Sequence, residues 1–395
     1  MIFNKILLKC CFLIYVLSLL SGCNSVSEIK YQSEIDQIAS KLTTDKRESI
    51  CNITASSENR DVITLRGETT IPQIKEELLN TLAKPGIRLI DSIIILPDTA
   101  HNKKYLGVVT LSVANLRKEP KHSAELVSQA ILGTPVLVLK QENSWLLIQT
   151  PDNYVSWTER TSVQLKDKKE FNSWKKAEKV ICIESAGWVY VSADESLVVG
   201  DLVSGAILEK KGESGRYISV RFPDGREGLV RKAATRDYLT WSNDTIIVAD
   251  KLISIAYTFL GLPYLWGGTS SKAVDCSGFI QSVYFRNGVI LSRDASLQAE
   301  HGIIVDISMD YSKLERGDML FFGSRDERGD HVTHVALYIG DTEFIHASYR
   351  VMVNSLDSTR SNFSSSRKNS LLSARRVIGS AEDHGIKYIS NHGLY

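Results

Sequence analysis

Apolar and polar residues repeat with a different period in each part of this chain, and each period predicts a different local structure. In the first part, Ile74, Leu78 and Leu82 recur at the spacing of one helical face. The continuous apolar run over residues 93–96 is typical of a buried strand. We therefore expect a small α/β module over residues 23–100, in which no residue indicates chemistry.

The pattern changes after residue 100 to short alternating runs that are separated by turn residues. Such alternation is typical of a small β-barrel, which we assign to residues 101–167. A fainter copy of the pattern runs from about Ile183 to Tyr238. A lysine-rich connector precedes this copy, and together they make up residues 168–242. We expect the connector to be a solvated helix face or a linker rather than a contact for an anionic polymer.

The last part, residues 243–395, combines helical and strand periods. Apolar positions over about 253–260 predict a helix. Three apolar segments further on predict buried strands: MLFF, HVTHVALYIG and EFIHAS. Residues 355–370 are rich in serine and carry few apolar side chains, so we expect a mobile loop there. The residues after Ser380 have the character of a tail.

The first 22 residues have the layout of an export signal. Two lysines precede an apolar run from Cys10 to Leu20, which is too short for a comfortable membrane span. The motif LSGC follows and resembles a lipobox, so we expect cleavage before Cys23 and lipidation of its thiol. A plain signal peptide or a short anchor helix is the alternative. In each case the chain is exported to the cell envelope, and a lipid on Cys23 would anchor it to a membrane.

The cysteine count and the net charge narrow the class of protein. Once the signal is removed, only Cys51, Cys182 and Cys276 remain as thiols, which is too few for a fold held together by disulfides. We favour buried free thiols and leave a bridge between Cys51 and Cys182 open. The net charge of +1 provides no field to attract nucleic acid, and the 395 residues are enough for two to four domains.

Cys276 is the strongest candidate for chemistry because it opens a predicted helix. Phe279, Ile280 and Val283 recur behind it at helical spacing. Unpaired N–H groups at a helix start favour a thiolate, which is the reactive form of cysteine. A lone cysteine is more commonly a small buried hydrophobic residue. The glycines and aromatic residues of the surrounding stretch, LPYLWGGTSSKAVDCSGF, favour a nucleophile here.

Two histidines are predicted to lie side by side on neighbouring strands. If residues 340–342 form a three-residue hairpin loop, Ala336 lies opposite His346, and His334 lies diagonally from it on the same face. A two-residue loop would put the histidines on opposite faces, so the prediction depends on the turn. His331 is expected to be solvated, because its strand parity is opposite to that of His334.

These residues occur in motifs that resemble a known family. The combination of Y-x-W-G-G, D-C-S-G-F, H-V-x-x-Y-I-G and F-I-H-A is similar to the NlpC-type family of papain-like bacterial cell-wall peptidases. The resemblance implies an α+β papain-like domain in which Cys276 is the nucleophile, His334 the base and His346 the residue that orients the base. The backbone N–H of Cys276 is the expected oxyanion donor. The resemblance implies no metal or organic cofactor.

The segments VANLRKEP and GTPVLVLKQENSWLLIQTPDNYVSWT resemble the bacterial SH3-like domain. The complete prediction is a multidomain chain: a small α/β N-terminal module, two SH3-like β-barrels and a C-terminal α+β papain-like peptidase domain. Resemblance to members with this architecture implies cleavage of the γ-D-glutamyl bond to the diamino acid in peptidoglycan stem peptides.

The same resemblance implies how one end of the substrate is held. In relatives with this architecture, an aspartate before the cysteine and residues of the first SH3-like domain enclose the free amine of the N-terminal L-alanine. The matching positions are Asp275, Glu119 and Tyr154, with Tyr264 on the wall of the cleft and Ser277 as a further substrate contact. Such an enzyme trims free stem peptides for recycling or scavenging.

Other interpretations remain open at this stage. The chain could be a wall-remodelling endopeptidase or an amidase that acts on intact peptidoglycan, since the catalytic motifs do not separate these activities. It could also be a cell-wall-binding lipoprotein with an inactive peptidase domain. A metal site made of His331, His334 and His346 is a further alternative. It is disfavoured if His331 and His334 point to opposite faces of their strand.

Overall fold

The structure is a computed structural model that describes residues 31–59, 61–100, 102–244 and 246–395. The predicted signal and Cys23 lie outside the described residues. Within those four ranges, no helix combines the length and the apolar character that crossing a membrane requires. The chain forms two compact units, Met1–Asn102 and Lys103–Tyr395.

The first unit contains a three-stranded sheet, and its helices supply the other side of one apolar core. β1 and β2 are antiparallel, and β3 returns parallel to β2 after helix α2. Ile74, Leu78 and Leu82 are buried on one face of α2, as their spacing predicts. The elements are α1 (residues 31–42), β1 (Cys51–Asn59), β2 (Val62–Thr69), α2 (Pro72–Leu82) and β3 (Arg88–Ile95).

The second unit begins with a seven-stranded sheet of order β10-β4-β7-β8-β9-β5-β6. Its strands are short, and alternate residues such as Leu146 and Ile148 point into one buried core. The strands are β4 (Leu106–Val109), β5 (Val113–Arg117), β6 (Leu126–Ile131), β7 (Pro135–Glu142), β8 (Trp145–Gln149), β9 (Val155–Glu159) and β10 (Val163–Lys166).

The lysine-rich connector is helix α3 (Lys168–Lys176), which confirms the expectation of a solvated helix face. Asp167 and Glu170 form a capping box at its start, and Phe171 and Trp174 are buried whereas Lys168, Lys169 and Lys176 are exposed. A second seven-stranded sheet follows, with order β13-β12-β16-β15-β14-β11-β17. Its strands are β11 (Lys179–Cys182), β12 (Ala186–Tyr190), β13 (Val198–Val203), β14 (Ile207–Ser214), β15 (Tyr217–Arg221), β16 (Glu227–Arg231) and β17 (Thr235–Asp237).

The C-terminal part packs helices against a six-stranded sheet of order β21-β26-β22-β23-β24-β25. Phe279 and Val283 of helix α6 share one core with Phe321, Val335 and Leu337 of the sheet. The helices are α4 (Tyr238–Ser242), α5 (Ala249–Tyr257), α6 (Cys276–Phe285), α7 (Ala295–Gln298) and α8 (Ser365–Ser370). The strands are β18 (Thr269–Ser270), β19 (Ala273–Val274), β20 (Val289–Leu291), β21 (Ile303–Val305), β22 (Met319–Asp326), β23 (Gly329–Gly340), β24 (Glu343–Ala347), β25 (Val351–Ser355), β26 (Leu371–Arg376) and β27 (Ile386–Tyr388).

Two segments that were expected to be irregular have defined structure. The serine-rich segment contains α8, which Ser364 caps by accepting a hydrogen bond from the backbone N–H of Arg367. The segment after Ser380 is not a tail, because β27 pairs with β20 and Tyr395 packs into an apolar cluster. Short elements of this kind have too few apolar residues to produce a clear period in the sequence.

Candidate active site

Cys276 is the first residue of α6, and Asp275 caps the helix in front of it. The carboxylate of Asp275 accepts a hydrogen bond from the backbone N–H of Gly278 at 2.7 Å. The thiol is buried against the sheet, in a core that it shares with Val335. Since Val335 follows His334 in β23, the predicted nucleophile and the predicted base lie on elements that pack against each other.

The surroundings of Cys276 oppose ionisation of its thiol in the resting protein. Burial raises the pKa of Cys276 to about 11, and the neighbouring carboxylate of Asp275 acts in the same direction. A backbone hydrogen bond from Val335 and the charge of Arg293 oppose this shift but do not cancel it. The expectation that the helix start holds a thiolate is therefore wrong for the resting state, because desolvation outweighs the helix dipole.

The hairpin that joins β23 to β24 differs from the predicted three-residue loop. Asp341 and Thr342 form a two-residue loop in which both residues have positive φ, 50° and 66°, as in a type I′ turn. A bulge at Ile339 adds one extra residue to β23 beside this turn. The turn was wrongly predicted because sequence alone does not show whether a loop residue is replaced by a bulge.

The loop and the bulge together produce the predicted register. Leu337 pairs with Ile345, so Ala336 lies opposite His346 and His334 lies diagonally from it on the same face. The Nε2 atom of His334 is 2.7 Å from Nδ1 of His346. The predicted juxtaposition of the two imidazoles is therefore confirmed, although it arises from a different turn.

A chain of hydrogen bonds beyond His346 fixes the tautomers of both imidazoles. The side-chain N–H of Asn354 donates to the carbonyl oxygen of Asn362 at 2.9 Å, which leaves the amide oxygen of Asn354 facing Nε2 of His346 at 2.9 Å. Nε2 of His346 must then carry a proton, and its Nδ1 accepts the proton of His334 Nε2. Nδ1 of His334 is left with a lone pair, which is the tautomer that a general base needs.

Both histidines are held neutral. Burial lowers the pKa of His334 well below its usual range, and the neighbouring His346 and the charge of Arg367 act in the same direction. Burial also lowers the pKa of His346 to about 4, although the hydrogen bond to Asn354 opposes this shift. Burial thus favours the uncharged forms of the thiol and of both imidazoles.

Asp275 is part of a buried ion pair. Its carboxylate accepts hydrogen bonds from the guanidinium of Arg293 at 2.5 and 3.2 Å and from the backbone N–H of Gly267 at 2.9 Å. Arg293 also donates to the hydroxyl oxygens of Ser277 at 2.9 Å and of Ser128 at 3.0 Å. The structure therefore assigns Asp275 and Ser277 to the support of the nucleophile's helix, a role that the sequence analysis did not consider.

Two of the remaining predicted substrate residues lie near this ion pair, because the charges of Asp275 and Arg293 act on Tyr264, and Tyr154 acts on Arg293. Tyr264 is half-buried and packs against the core that contains Cys276. Tyr154 is buried in the first SH3-like sheet, whereas Glu119 is exposed and pairs with Lys121 at 2.5 Å.

The first SH3-like sheet contacts the loop in front of Cys276. The indole N–H of Trp266 donates to the carboxylate of Glu125 at 3.0 Å. The backbone N–H of Thr269 donates to the side-chain oxygen of Gln129 at 3.1 Å. These contacts connect the loop in front of Cys276 to strand β6 and to the residue just before it.

His331 is exposed as expected, but the argument from strand parity was wrong. A bulge in β23 lets Phe322 pair with His334 and Ser324 pair with His331, so both histidines lie on the same face. The imidazole of His331 pairs instead with the carboxylate of Asp326 at 2.9 Å. Within the part of the chain that the structure describes, no three His, Cys, Asp or Glu side chains are grouped as metal ligands.

Three polar residues of this site were missed by the sequence analysis: Arg293, Asn354 and Arg367. Of these, Arg293 could have been noticed in the dipeptide Arg293-Asp294, which follows the stretch around Cys276. A buried arginine beside a cysteine nucleophile needs a carboxylate partner. Asn354 and Arg367 had no such signal, since both lie in segments with ordinary polar composition.

Comparison with known proteins finds matches for both the C-terminal domain and the first SH3-like domain. Residues 261–371 match the NlpC/P60 family, and residues 116–163 match the bacterial dipeptidyl-peptidase Sh3 domain. A dipeptidyl-peptidase 6 of Lysinibacillus sphaericus is 32% identical over 261 residues, which are 64% of this chain and 92% of that protein. A gamma-D-glutamyl-L-lysine dipeptidyl-peptidase of Bacillus cereus is 31% identical over 231 residues, 56% of this chain and 67% of that protein.

A solved structure has the same fold. The crystal structure of an NlpC/P60 family protein from Bacillus cereus aligns with a TM-score of 0.60, covering 69% of this chain and 99% of that chain at 24% identity. The predicted combination of SH3-like domains with a papain-like domain is confirmed by this similarity together with the family matches.

Proposed function

This chain belongs to the NlpC/P60 family of peptidases, and from that premise we propose that it hydrolyses the γ-D-glutamyl bond to the diamino acid in peptidoglycan stem peptides. The observation that carries the proposal is the hydrogen-bonded series His334, His346 and Asn354, on a sheet that shares its core with the helix of the buried Cys276. The bacterial Sh3 match and the names of the two similar proteins support the choice of substrate.

Cys276 and His334 carry out the bond-breaking steps. As the sulfur attacks the γ-carbonyl carbon, Nδ1 of His334 takes the thiol proton, and the backbone N–H of Cys276 stabilises the oxyanion. The imidazolium then gives its proton to the leaving amine of the diamino acid, and a thioester with the γ-glutamyl group remains. Water, deprotonated by His334, attacks the thioester, and the thiol and the γ-carboxylic acid are released.

His346 acts as a positioning residue. Its Nδ1 accepts the proton on Nε2 of His334 and thereby keeps Nδ1 of His334 free to act as the base. It also shares the positive charge that develops on His334 during attack. This sharing assists the proton transfer, because burial opposes a charge on His334.

The proposed substrate is a stem peptide with a free N-terminal L-alanine. Glu119, Tyr154, Tyr264 and Ser277 remain the proposed contacts at this end, and the proximity of the first SH3-like sheet to Trp266 supports a closed pocket. Asp275 contributes indirectly, because its carboxylate fixes the backbone N–H of Gly267 on the cleft wall. An acylated amine would lose its charge and require more room than a closed pocket offers.

The enzyme acts outside the cytoplasm, where peptidoglycan is located. We propose in addition that Cys23 is lipidated and anchors the chain to a membrane, which rests on the LSGC motif after a short apolar run. Release of the mature protein by detergent but not by salt would support the anchor.

The choice between free and intact substrate is tested with two peptides. We expect L-Ala-γ-D-Glu-L-Lys to be cleaved, and its N-acetylated form to be cleaved far more slowly, because acetylation removes the ammonium group. Glu119→Gln should narrow this gap by slowing cleavage of the free peptide, and Glu142→Gln, another exposed carboxylate of the same sheet, serves as the control. Equal rates on both peptides would favour an endopeptidase that remodels intact wall.

A further inference from the structure

Arg367 lies beside the proposed catalytic residues although it is distant from them in sequence. It belongs to α8, its side chain is half-buried, and its guanidinium lies 5.7 Å from the centre of the Phe322 ring. The Phe322 ring packs in turn on His334, with ring centres 5.8 Å apart. The positive charge of Arg367 also reaches Cys276 and His346 electrostatically. The guanidinium therefore lies close enough to His334, His346 and Cys276 to influence all three groups.

The guanidinium of Arg367 has no carboxylate partner among the residues that the structure describes. Arg293 provides the contrast, since it is buried at the same site and paired with Asp275. Burial lowers the pKa of Arg367, and Cys276 and Tyr264 oppose this shift. Neither of these two groups is a carboxylic acid. A partly desolvated guanidinium is best compensated by a planar anion that binds through two N–H groups.

The side of the cleft identifies which part of the substrate meets Arg367. His334 returns its proton to the leaving amine, so the residue after the scissile bond must lie next to His334. The Phe322 ring neighbours both Arg367 and His334, and the charge of Arg367 acts on His334. The diamino acid on that side carries an α-carboxylate when it is C-terminal, and diaminopimelate carries a second carboxylate on its side chain.

We propose that Arg367 binds a carboxylate of the diamino acid that follows the scissile bond, and so selects short stem peptides or diaminopimelate-containing ones. The proposal rests on the proposed function. In this proposal, α8 recognises a carboxylate on the leaving-group side, whereas the amine pocket recognises the ammonium group at the other end of the substrate.

Four peptides distinguish the two carboxylate sources. They are L-Ala-γ-D-Glu-L-Lys, its C-terminal amide, L-Ala-γ-D-Glu-meso-diaminopimelate and the α-amide of that peptide. For the intact enzyme we expect the recognised carboxylate to raise kcat/KM by roughly ten- to hundredfold, the range for one charge-assisted contact, either in each acid over its matched α-amide or in both diaminopimelate peptides over both lysine peptides. A large loss on amidation of the lysine peptide identifies the α-carboxylate, whereas high activity retained only by the diaminopimelate amide identifies the side-chain carboxylate.

Variants of α8 show whether Arg367 causes this preference. Arg367→Gln should abolish the ratio between peptides with and without the recognised carboxylate, and Arg367→Lys should restore part of that ratio. Lys368→Gln is the matched control, because Lys368 is exposed on the same helix and lies over the ring of Phe363. An Arg367→Gln enzyme that keeps this ratio, or that slows peptides with and without the recognised carboxylate equally, would overturn the proposal.

Binding measurements separate this proposal from the proposed function. Cys276→Ala protein should bind peptides that carry the recognised carboxylate more tightly than peptides that lack it, and the double variant with Arg367→Gln should lose this difference. If no peptide is cleaved by the intact enzyme but carboxylate-dependent binding is seen, the proposed activity fails and the role of Arg367 stands. If cleavage occurs and binding does not depend on the carboxylate, the role of Arg367 fails alone.

Discussion

Asn354 determines which nitrogen of His334 can act as the base, although it is separated from His334 by a second imidazole. Its amide oxygen fixes the proton of His346, and this proton decides the tautomer of His334. The three residues thus act as one unit, and the loss of the last member affects the first.

We predict that Asn354→Ala lowers kcat by roughly tenfold, because a net hydrogen bond contributes about 1 kcal/mol and the tautomer of His334 becomes mixed. KM should change little, since Asn354 does not face substrate. His331→Ala is the control, because this exposed histidine on the same strand as His334 is outside the chain of hydrogen bonds. A normal kcat for Asn354→Ala would show that the tautomer is fixed by other groups.

The pKa shifts of Cys276 and His334 predict how the thiol reacts with iodoacetamide. With the pKa of Cys276 raised to about 11, the thiolate fraction should rise about tenfold per pH unit between pH 7 and 9. The rate of alkylation should follow it. Because the pKa of His334 lies below 6.5, the neutral base persists in weak acid, and the acid limb of kcat/KM should lie below pH 6.5. A plateau in alkylation below pH 7 would instead indicate a resting ion pair.

Sequence reasoning found the reactive residues of this site and missed their partners. Cys276, His334 and His346 could be predicted because a helix start, a strand period and family motifs surround them. Arg367 and Asn354 could not, because their roles depend on a packing contact and on an amide orientation that no local pattern contains. The state of the thiol was also mispredicted, since burial acts through residues far away in sequence.

The β23–β24 hairpin is the element whose geometry decides whether the two histidines meet. Its turn uses positive φ at Asp341 and Thr342, and Gly340 beside them has a φ of 106°. Only glycine adopts this last conformation without strain. The register of His346 therefore depends on a residue with no side chain and no chemistry.

We predict that Gly340→Ala destabilises the protein by about 1–3 kcal/mol and lowers activity, because alanine is strained at this φ and its Cβ would lie 3.2 Å from Arg316. The loss of activity should exceed that expected from unfolding alone, since the hairpin carries both histidines. Gly212→Ala is the control, because its φ is not positive and a Cβ there would meet nothing within 4 Å. Thermal unfolding and kcat of both variants decide the matter, and an unchanged melting temperature for Gly340→Ala would contradict the account.

At the scale of the element, helix and strand types were predictable and connections were not. The alternation in β22 to β24 identified strands correctly, whereas the bulges at Ile339 and near His334 changed two side-chain directions that simple parity would assign. Bulges follow from cross-strand packing rather than from local sequence, so parity arguments across them fail.

In the second unit, a series of hydrogen bonds links the first SH3-like sheet to the helix of the nucleophile, through Ser128, Arg293 and Asp275. Arg293 is buried and carries the charge that balances Asp275. The sheet of one domain therefore supports the catalytic helix of another. This relation could not be predicted from the sequence, because the partners are 165 residues apart.

We predict that Arg293→Met destabilises the protein by about 3–5 kcal/mol, since it leaves the Asp275 carboxylate buried without a counter-charge. Reaction of Cys276 with iodoacetamide should also slow, because the unbalanced carboxylate raises the pKa of the thiol further. Lys272→Met is the control, because it breaks a solvent-exposed ion pair with Asp201 and should cost at most about 1 kcal/mol. Equal melting temperatures for the two variants would refute a structural role for the buried pair.

The central claim is that Cys276 cleaves one particular bond, and a single measurement tests it directly. L-Ala-γ-D-Glu-L-Lys is incubated with the intact enzyme and with Cys276→Ala protein, and the products are identified by mass spectrometry. We expect L-Ala-D-Glu and free L-lysine from the intact enzyme, and no product from the variant, whose melting temperature should be close to that of the parent. Cleavage at the L-Ala bond, or continued release of lysine by folded Cys276→Ala protein, would contradict the account.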